Sequence, residues 1–369
     1  MQKIKTGKDL KNKKDAMAKS KTKRKIIINV AVILCVTALT FVYLFLSGNV
    51  KWEDVKAIGF SQYLLVFSLF LFSLLLVSLV DFFIYRSFTK SMNYGKCVLN
   101  TLYGNLGSAV TPLKSGHFPM MVYYQYNANV PIKDTATGLV KCQIIYSITT
   151  IVLYSIMAIA LAVSNVVIEI NETTVKLYLV LLIGLAFHLG VFLSLVFMAV
   201  NKRFQNFILK ICASLLYKLK KIDDKQKFIE EKAENLLVFK QELAIIGKGW
   251  YKYFAPVICF FIYMIILNSL QYASYLAFTK KPFILSEAYM FYALTIASSY
   301  ITNVIPLPGG FGTSELMFTI MFSLVIEEGV LGSTLVLWRV ATYYVVIAIE
   351  LLVFIVVSVI NSRKRKIPL

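Results

Sequence analysis

The sequence predicts an all-α integral membrane protein, a polytopic helical bundle holding two antiparallel re-entrant or broken-helix hairpins in an inverted repeat. Three observations point there. Hydrophobic residues make up 58% of the chain and the mean hydropathy is +0.71, with several apolar runs near the ~20 residues a helix needs to cross a bilayer. A polar stripe followed by Pro-Leu-x-x-Gly occurs twice with identical offsets: Thr101, Asn105, Ser108, Pro112, Leu113, Gly116, and Thr295, Ser299, Thr302, Pro306, Leu307, Gly310. Steps of four and three residues put each polar trio on one helix face, and each Pro then breaks the helix. Finally, basic residues collect in the segments that alternation across a membrane would leave on one side.

Taken in order, residues 1–25 form a basic tail with eleven Lys or Arg against two Asp. The apolar stretch 26–46 follows, and without a small-residue cleavage site after it reads as a retained first helix rather than a signal peptide. Further spanning stretches are expected at 61–88, 134–164, 174–200, 253–279 and 333–360. Between them lie two shorter, interrupted pairs, 97–111 with 116–130 and 286–305 with 315–327. A fifteen-residue arm covers about 22 Å, short of the roughly 30 Å hydrocarbon core, so these pairs are expected to be re-entrant. The 286–305 arm alone has enough residues to cross completely.

The positive-inside bias orients the chain. Both termini, the loops near Arg86, Lys90 and Lys133, and the basic segment 202–252 fall inside, while the loops with Glu169 and Glu172 and with Glu327 and Glu328 fall outside. The first hairpin then enters and leaves from the cytoplasm and the second from the opposite side. The expected organisation is a single transmembrane domain, 26–360, with repeat halves 61–164 and 253–360, a cytoplasmic linker 202–252 and a basic tail 361–369. In the linker, Phe204, Phe207, Ile208, Ile211 and Leu215 lie at helical spacing opposite Lys210 and Lys218; an interfacial helix on anionic lipid and a solvated cytoplasmic hairpin both fit. A net charge of +20 in a soluble protein would suggest nucleic acid, but at these positions it marks the cytoplasmic membrane face of a cell-membrane protein. The five cysteines are scattered singly, as packing residues are.

Candidate site residues gather at the two Pro-Gly breaks and on the last helix. Around Ile305 to Glu315, Gly309, Gly310 and Gly312 permit positive φ, and Thr313 or Ser314 can cap a new helix near Glu315. Free backbone N–H groups and a helix N-terminus suit an anion. Irregular backbone at membrane depth must line a cavity or be covered by protein, and a surface turn is the plainer alternative. In the first hairpin Lys114 and His117 flank Gly116 near Asn105 and Ser108. In the second, Ser299, Thr302 and Asn303 precede the break. Arg339, Tyr343 and Glu350 share one face of the last helix. A buried Arg339 needs a partner, for which Glu315 and Glu350 are the candidates, either of which can otherwise carry a proton; snorkelling of Arg339 and a helix-dipole role for Glu315 are the duller readings. Lys141 is placed to add positive charge or to snorkel, and Asp81, Arg86 and His188 read as packing, capping or interfacial groups.

Catalytic signatures are absent. Ser115-Gly116-His117 imitates one block of the membrane phosphatidic-acid phosphatases, but the accompanying Lys, Arg-Pro and second Arg-His blocks are missing, as are a Walker loop, a zinc pair and a nucleophile elbow. The chain therefore reads as no enzyme, with no cofactor or metal.

Pro306 to Glu315 together with Trp338-Arg339-Val340-Ala341-Thr342-Tyr343-Tyr344, and more weakly Asn105, Thr111, Pro112 and Gly116, resemble the transmembrane region family of lysylphosphatidylglycerol synthase. The similarity spans most of residues 26–360. It implies a flippase or scramblase that moves an anionic, aminoacylated or polyprenyl-linked lipid between leaflets, with membrane lipids as partners and homo-oligomers left open. The soluble aminoacyltransferase domain of the bifunctional proteins has no counterpart in this sequence, so lipid synthesis is not expected. An ion-coupled small-solute transporter and a membrane scaffold for a lipid or envelope enzyme are the alternatives.

Overall fold

A computed structural model describes residue 42 and residues 52–164, 167–170, 173–218, 224–230, 250–307, 309–310 and 312–364. The expected first helix 26–46, both basic tails apart from residues 361–364, and most of 219–249 lie outside the described residues. The elements in chain order are α1 (Trp52–Ala57), α2 (Phe60–Arg86), α3 (Tyr94–Ala109), α4 (His117–Asn127), α5 (Ile132–Val163), β1 (Val167–Ile170), β2 (Thr173–Lys176), α6 (Leu177–Val200), α7 (Lys202–Lys218), α8 (Phe254–Asn268), α9 (Leu270–Thr279), α10 (Leu285–Val304), α11 (Thr313–Phe322), α12 (Glu328–Arg339), a π turn (Val340–Tyr344) and α13 (Val345–Lys364). The chain is an all-α, multi-pass membrane protein. Among the described residues, five helical stretches are long and apolar enough to span: Phe60–Arg86, Ile132–Val163, Leu177–Ser194, Tyr251–Asn268 and Gly329–Asn361. Their outward faces expose large apolar side chains, such as Leu64 and Phe72 on α2, Ile159 on α5, Ile183 on α6 and Leu352 on α13. Such a surface is stable only against lipid.

Three boundaries differ from expectation. The stretch starting at residue 174 is extended up to Lys176, where β1 and β2 form an antiparallel hairpin, and the helix starts at Leu177. The stretch 253–279 is broken at Ser269, flanked by Asn268 and Gln271. The last helix is interrupted by the π turn immediately after Arg339.

Hydrogen bonds fix where the two hairpins enter. The entry to α3 and the exit from α4 are held together, since Thr89 and Ser91 donate to Asp134 and Lys96 Nζ reaches the Ala128 carbonyl at 3.5 Å. Likewise Lys281, before α10, pairs with Glu327, after α11, at 3.2 Å. Lys281 also donates to the Tyr275 hydroxyl at 2.9 Å, and these two acceptors raise its pKa. Each hairpin thus starts and ends at one end of the bundle. The two ends are opposite. Gln62 Nε2, near the start of α2, donates to the Ala277 carbonyl at the end of α9 (2.9 Å), so the 27-residue α2, about 40 Å long, separates the first hairpin's entrance from the second's. With 16 and 11 residues, α3 and α4 reach only about 24 and 16 Å; α11, with 10 residues, reaches about 15 Å. Helix α10, at 20 residues, has the length to cross, but the chain turns at its end and returns.

Glycine brings the arms of the first hairpin to backbone contact. A Cβ on Gly107 would overlap the Gly116 carbonyl, one on Gly116 would lie 2.5 Å from the Gly107 carbonyl oxygen, and one on Gly104 would meet His117 Cε1 at 2.9 Å. The Thr111 hydroxyl closes the tip: it donates to the Gly107 carbonyl and accepts from Gly116 N–H, both at 2.7 Å.

Candidate functional site

The two tips meet inside the bundle. Gly309 (φ +60°) adopts a conformation that side chains resist, and a Cβ there would overlap the Tyr343 hydroxyl and lie 2.9 Å from the Ala109 carbonyl oxygen at the end of α3. The Pro-Gly loop of the second hairpin therefore abuts the first hairpin and the π turn together. Beside this junction lies a cavity of about 630 Å³, bordered by α2, both hairpins, α5, the α8–α9 break and the last helix.

Of the residues expected at the site, Asn105, Ser108, Lys114, His117, Ser299, Thr302, Asn303, Gly309, Arg339, Tyr343 and Glu350 line this cavity. Gly310, Gly312 and Glu315 do not. Gly310 (φ +70°) is buried, where a Cβ would meet Thr302 Cγ2 at 2.6 Å, and Gly312 (φ +71°) is the N-cap of α11. The expected capping hydroxyl is used otherwise: Thr313 Oγ1 donates to the Gly310 carbonyl at 2.9 Å, which stitches the loop and leaves the first amides of α11 without a side-chain cap.

Glu315 lies behind the cavity wall as the partner of Arg339. Arg339 Nε donates to Glu315 Oε1 at 2.7 Å, and the Tyr344 hydroxyl donates to the same oxygen at 2.9 Å. Arg339 is 5% exposed and Glu315 1%, which rules out snorkelling for Arg339. Its guanidinium carbon lies 4.3, 5.1 and 5.8 Å from the ring centres of Tyr343, Trp338 and Tyr344, within cation–π range. The π turn makes this possible, since the widened turn lets both neighbouring tyrosines reach one ion pair. Arg339 Nη2 is buried with no hydrogen-bond partner among the described residues, and Arg339 borders the cavity.

Lys114 sits in the first tip with φ +54°, following Leu113 at +53°. Two successive non-glycine residues in the left-handed region carry about 1–2 kcal/mol of strain each, which presents the Lys114 side chain. That side chain is accessible and borders the cavity, and it makes no ion pair with a described carboxylate. His117 opens α4 with Nδ1 3.0 Å from Ser108 Oγ. The single Ser108 hydroxyl hydrogen points to the Gly104 carbonyl at 3.0 Å, so His117 Nδ1 is the donor. Glu350 is 2% exposed, with the Asn105 side chain beside it. The face of Arg339, Tyr343 and Glu350 persists through the π turn, but Arg339 chose Glu315, not Glu350.

Several lining groups escaped the sequence reading: Ser73 on α2, Gln143 and Tyr146 on α5, and Asn268 and Gln271 at the α8–α9 break. For the last two a signal existed, because two amides four residues or fewer apart interrupt an apolar run. Lys141 is buried under α5 with its ammonium 4.5 Å from the Phe88 ring centre, outside the cavity. Asp81 is buried and accepts from the Tyr146 hydroxyl, while Arg86 is exposed against Phe82.

A family model described as the lysylphosphatidylglycerol synthase TM region matches residues 26–349. The chain belongs to this family. Comparison with curated proteins gives no match. As a member of the lysylphosphatidylglycerol synthase transmembrane family, the chain is a multi-pass protein associated with membrane lipids. The match takes in both hairpins, the π turn and the first turn of α13, so it covers every cavity-lining residue up to Ile347, with Glu350 the next residue past its end.

Proposed function

We propose that this protein is a lipid flippase or scramblase: an anionic phospholipid headgroup enters the cavity between the two hairpins while its acyl chains stay in the bilayer. The observation that carries the reading is the pair of cationic residues bordering one cavity, Lys114 without a carboxylate partner among the described residues and Arg339 with a buried Nη2 left unpaired among them. A phosphate oxygen satisfies both. The glycine loop at Gly309 and the hydroxyls of Ser299 and Thr302 complete a polar lining, and chemistry on the lipid is no part of the reading. The rim favours a lipid over a small solute. Phe118, which lines the cavity, and Leu113, next to Lys114, are 44% and 56% exposed, and exposed apolar groups beside the cavity suit acyl chains.

In this reading the halves 61–164 and 253–360 are an inverted repeat, whose opposed hairpins alternate access to a shared midplane site. Both termini are cytoplasmic in the cell membrane, as the basic tails require. Charge reversal at Lys114 in vesicle-reconstituted protein should abolish movement of labelled phosphatidylglycerol while the fold persists. Unchanged movement in Lys114→Glu would count against the assignment.

A further inference from the structure

Three acidic side chains are buried among the described residues, Asp81, Glu315 and Glu350, and their surroundings differ. Glu315 is answered by Arg339 and Tyr344. Asp81, on α2, accepts from the Tyr146 hydroxyl of α5. Glu350 lies beside Asn105. Its Oε1 has no hydrogen-bond partner among the described residues, it borders the cavity, and no described Lys or Arg forms an ion pair with it. A buried carboxyl with an unpartnered oxygen, bordering a cavity at membrane depth, marks a functional group, with proton relays a common use.

We infer that Glu350 is a proton-binding site whose occupancy is linked to the anionic headgroup. The inference rests on the transport reading. The physical reason is Coulombic. A phosphate drawn to Lys114 and Arg339 brings negative charge into the cavity that Glu350 faces, and two like charges in a poorly solvated space repel. Taking up one proton converts the carboxylate to the neutral acid and removes that repulsion, so proton and anion bind together. By reciprocity each raises the other's affinity. A monoanionic headgroup and one proton then cross as a neutral pair, and the proton returns to water when the headgroup leaves. The titratable and charged groups bordering the same cavity are Lys114 and His117 from the first hairpin, Cys142 and Tyr146 from α5, Tyr263 from α8, and Arg339 and Tyr343 from the last helix. Among these and Glu350, Glu350 is the carboxyl group.

The full chain is reconstituted into phosphatidylcholine vesicles doped with fluorescent phosphatidylglycerol, with uptake of inorganic phosphate measured in parallel to separate a lipid headgroup from the free anion. Wild type should gain apparent headgroup affinity as pH falls, by up to about tenfold per unit for one linked proton, and an imposed pH gradient should skew the label between leaflets. Glu350→Gln, which keeps the side chain's shape, should lose the pH response of whatever lipid movement it retains. A wild type indifferent to pH, a Glu350→Gln variant that still follows it, or pH dependence lost only in His117→Asn would each overturn the proton role and leave the lipid reading standing. Should wild type move no lipid, the transport reading falls, and infrared pH-difference spectra of the same protein decide the proton site: a protonated-carboxyl band missing from Glu350→Gln supports it, and an identical band in both proteins overturns it.

Discussion

Removing Arg339 alone should be more damaging than removing it together with Glu315. Glu315 is 1% exposed and its charge is met at 2.7 Å by Arg339 Nε. Replacing Arg339 with Met leaves a buried carboxylate held by Tyr344 alone, and such uncompensated charges cost about 3–5 kcal/mol. Glu315→Leu strands the cation instead, but the three rings around Arg339 recover part of the loss at roughly 1–2 kcal/mol, so about 2–3 kcal/mol remains. If the sites were independent, the double variant would lose about 5–8 kcal/mol; because apolar replacement of a whole buried pair is often neutral, it should lose no more than about 3. Equilibrium unfolding of the four proteins in mixed micelles measures this cycle. A double variant as unstable as the sum of the singles would refute the ion-pair account.

Other consequences follow from the glycines and the strained tip. Gly309→Ala should destabilise by at least about 2 kcal/mol, combining a φ near +60° with overlap on the Tyr343 hydroxyl; adding Tyr343→Phe should recover part of it, and thermal melts of the two proteins check the recovery. Gly107→Val, forced against the Gly116 carbonyl, should separate α3 from α4 at a cost of about 1–3 kcal/mol; a cysteine pair placed across the arms should then crosslink more slowly, and unchanged crosslinking would contradict the backbone-contact description. Lys114→Gly, which relieves the left-handed strain, should raise stability slightly while lowering lipid movement, so a stable but fully active variant would separate Lys114 from the headgroup.

Much of the fold was legible in the sequence because membrane crossing depends on length and apolarity, which composition displays directly. Leu177–Ser194 and Phe60–Arg86 could be placed to within a few residues on that basis alone. The hairpins were legible for another reason: Pro112 and Pro306 break helices beside arms of which all but 286–305 are too short to cross, and charge bias gave the two hairpins opposite entrances. The π turn was invisible, since Val340–Tyr344 differs from an α-helix only in how its amides pair. At the site, Arg339 announced the need for a partner but spacing favoured neither Glu315 nor Glu350; the choice depends on how α11 packs against α12. The uncapped start of α11 was misread because Thr313 can serve an amide or a carbonyl equally well, and the loop geometry selects the carbonyl. Lining residues from α2, α5 and α8 were missed because single polar groups in apolar helices carry no sign of which side they face.

Leaflet exchange of labelled phosphatidylglycerol in vesicles bearing the wild type, Lys114→Glu or an Arg339→Met/Glu315→Leu double variant tests the central claim most directly. The account predicts rapid exchange for wild type and near-background exchange for both variants, with folded protein retained in each. Exchange at the wild-type rate in the two variants would mean that the cavity between the hairpins does not receive the headgroup.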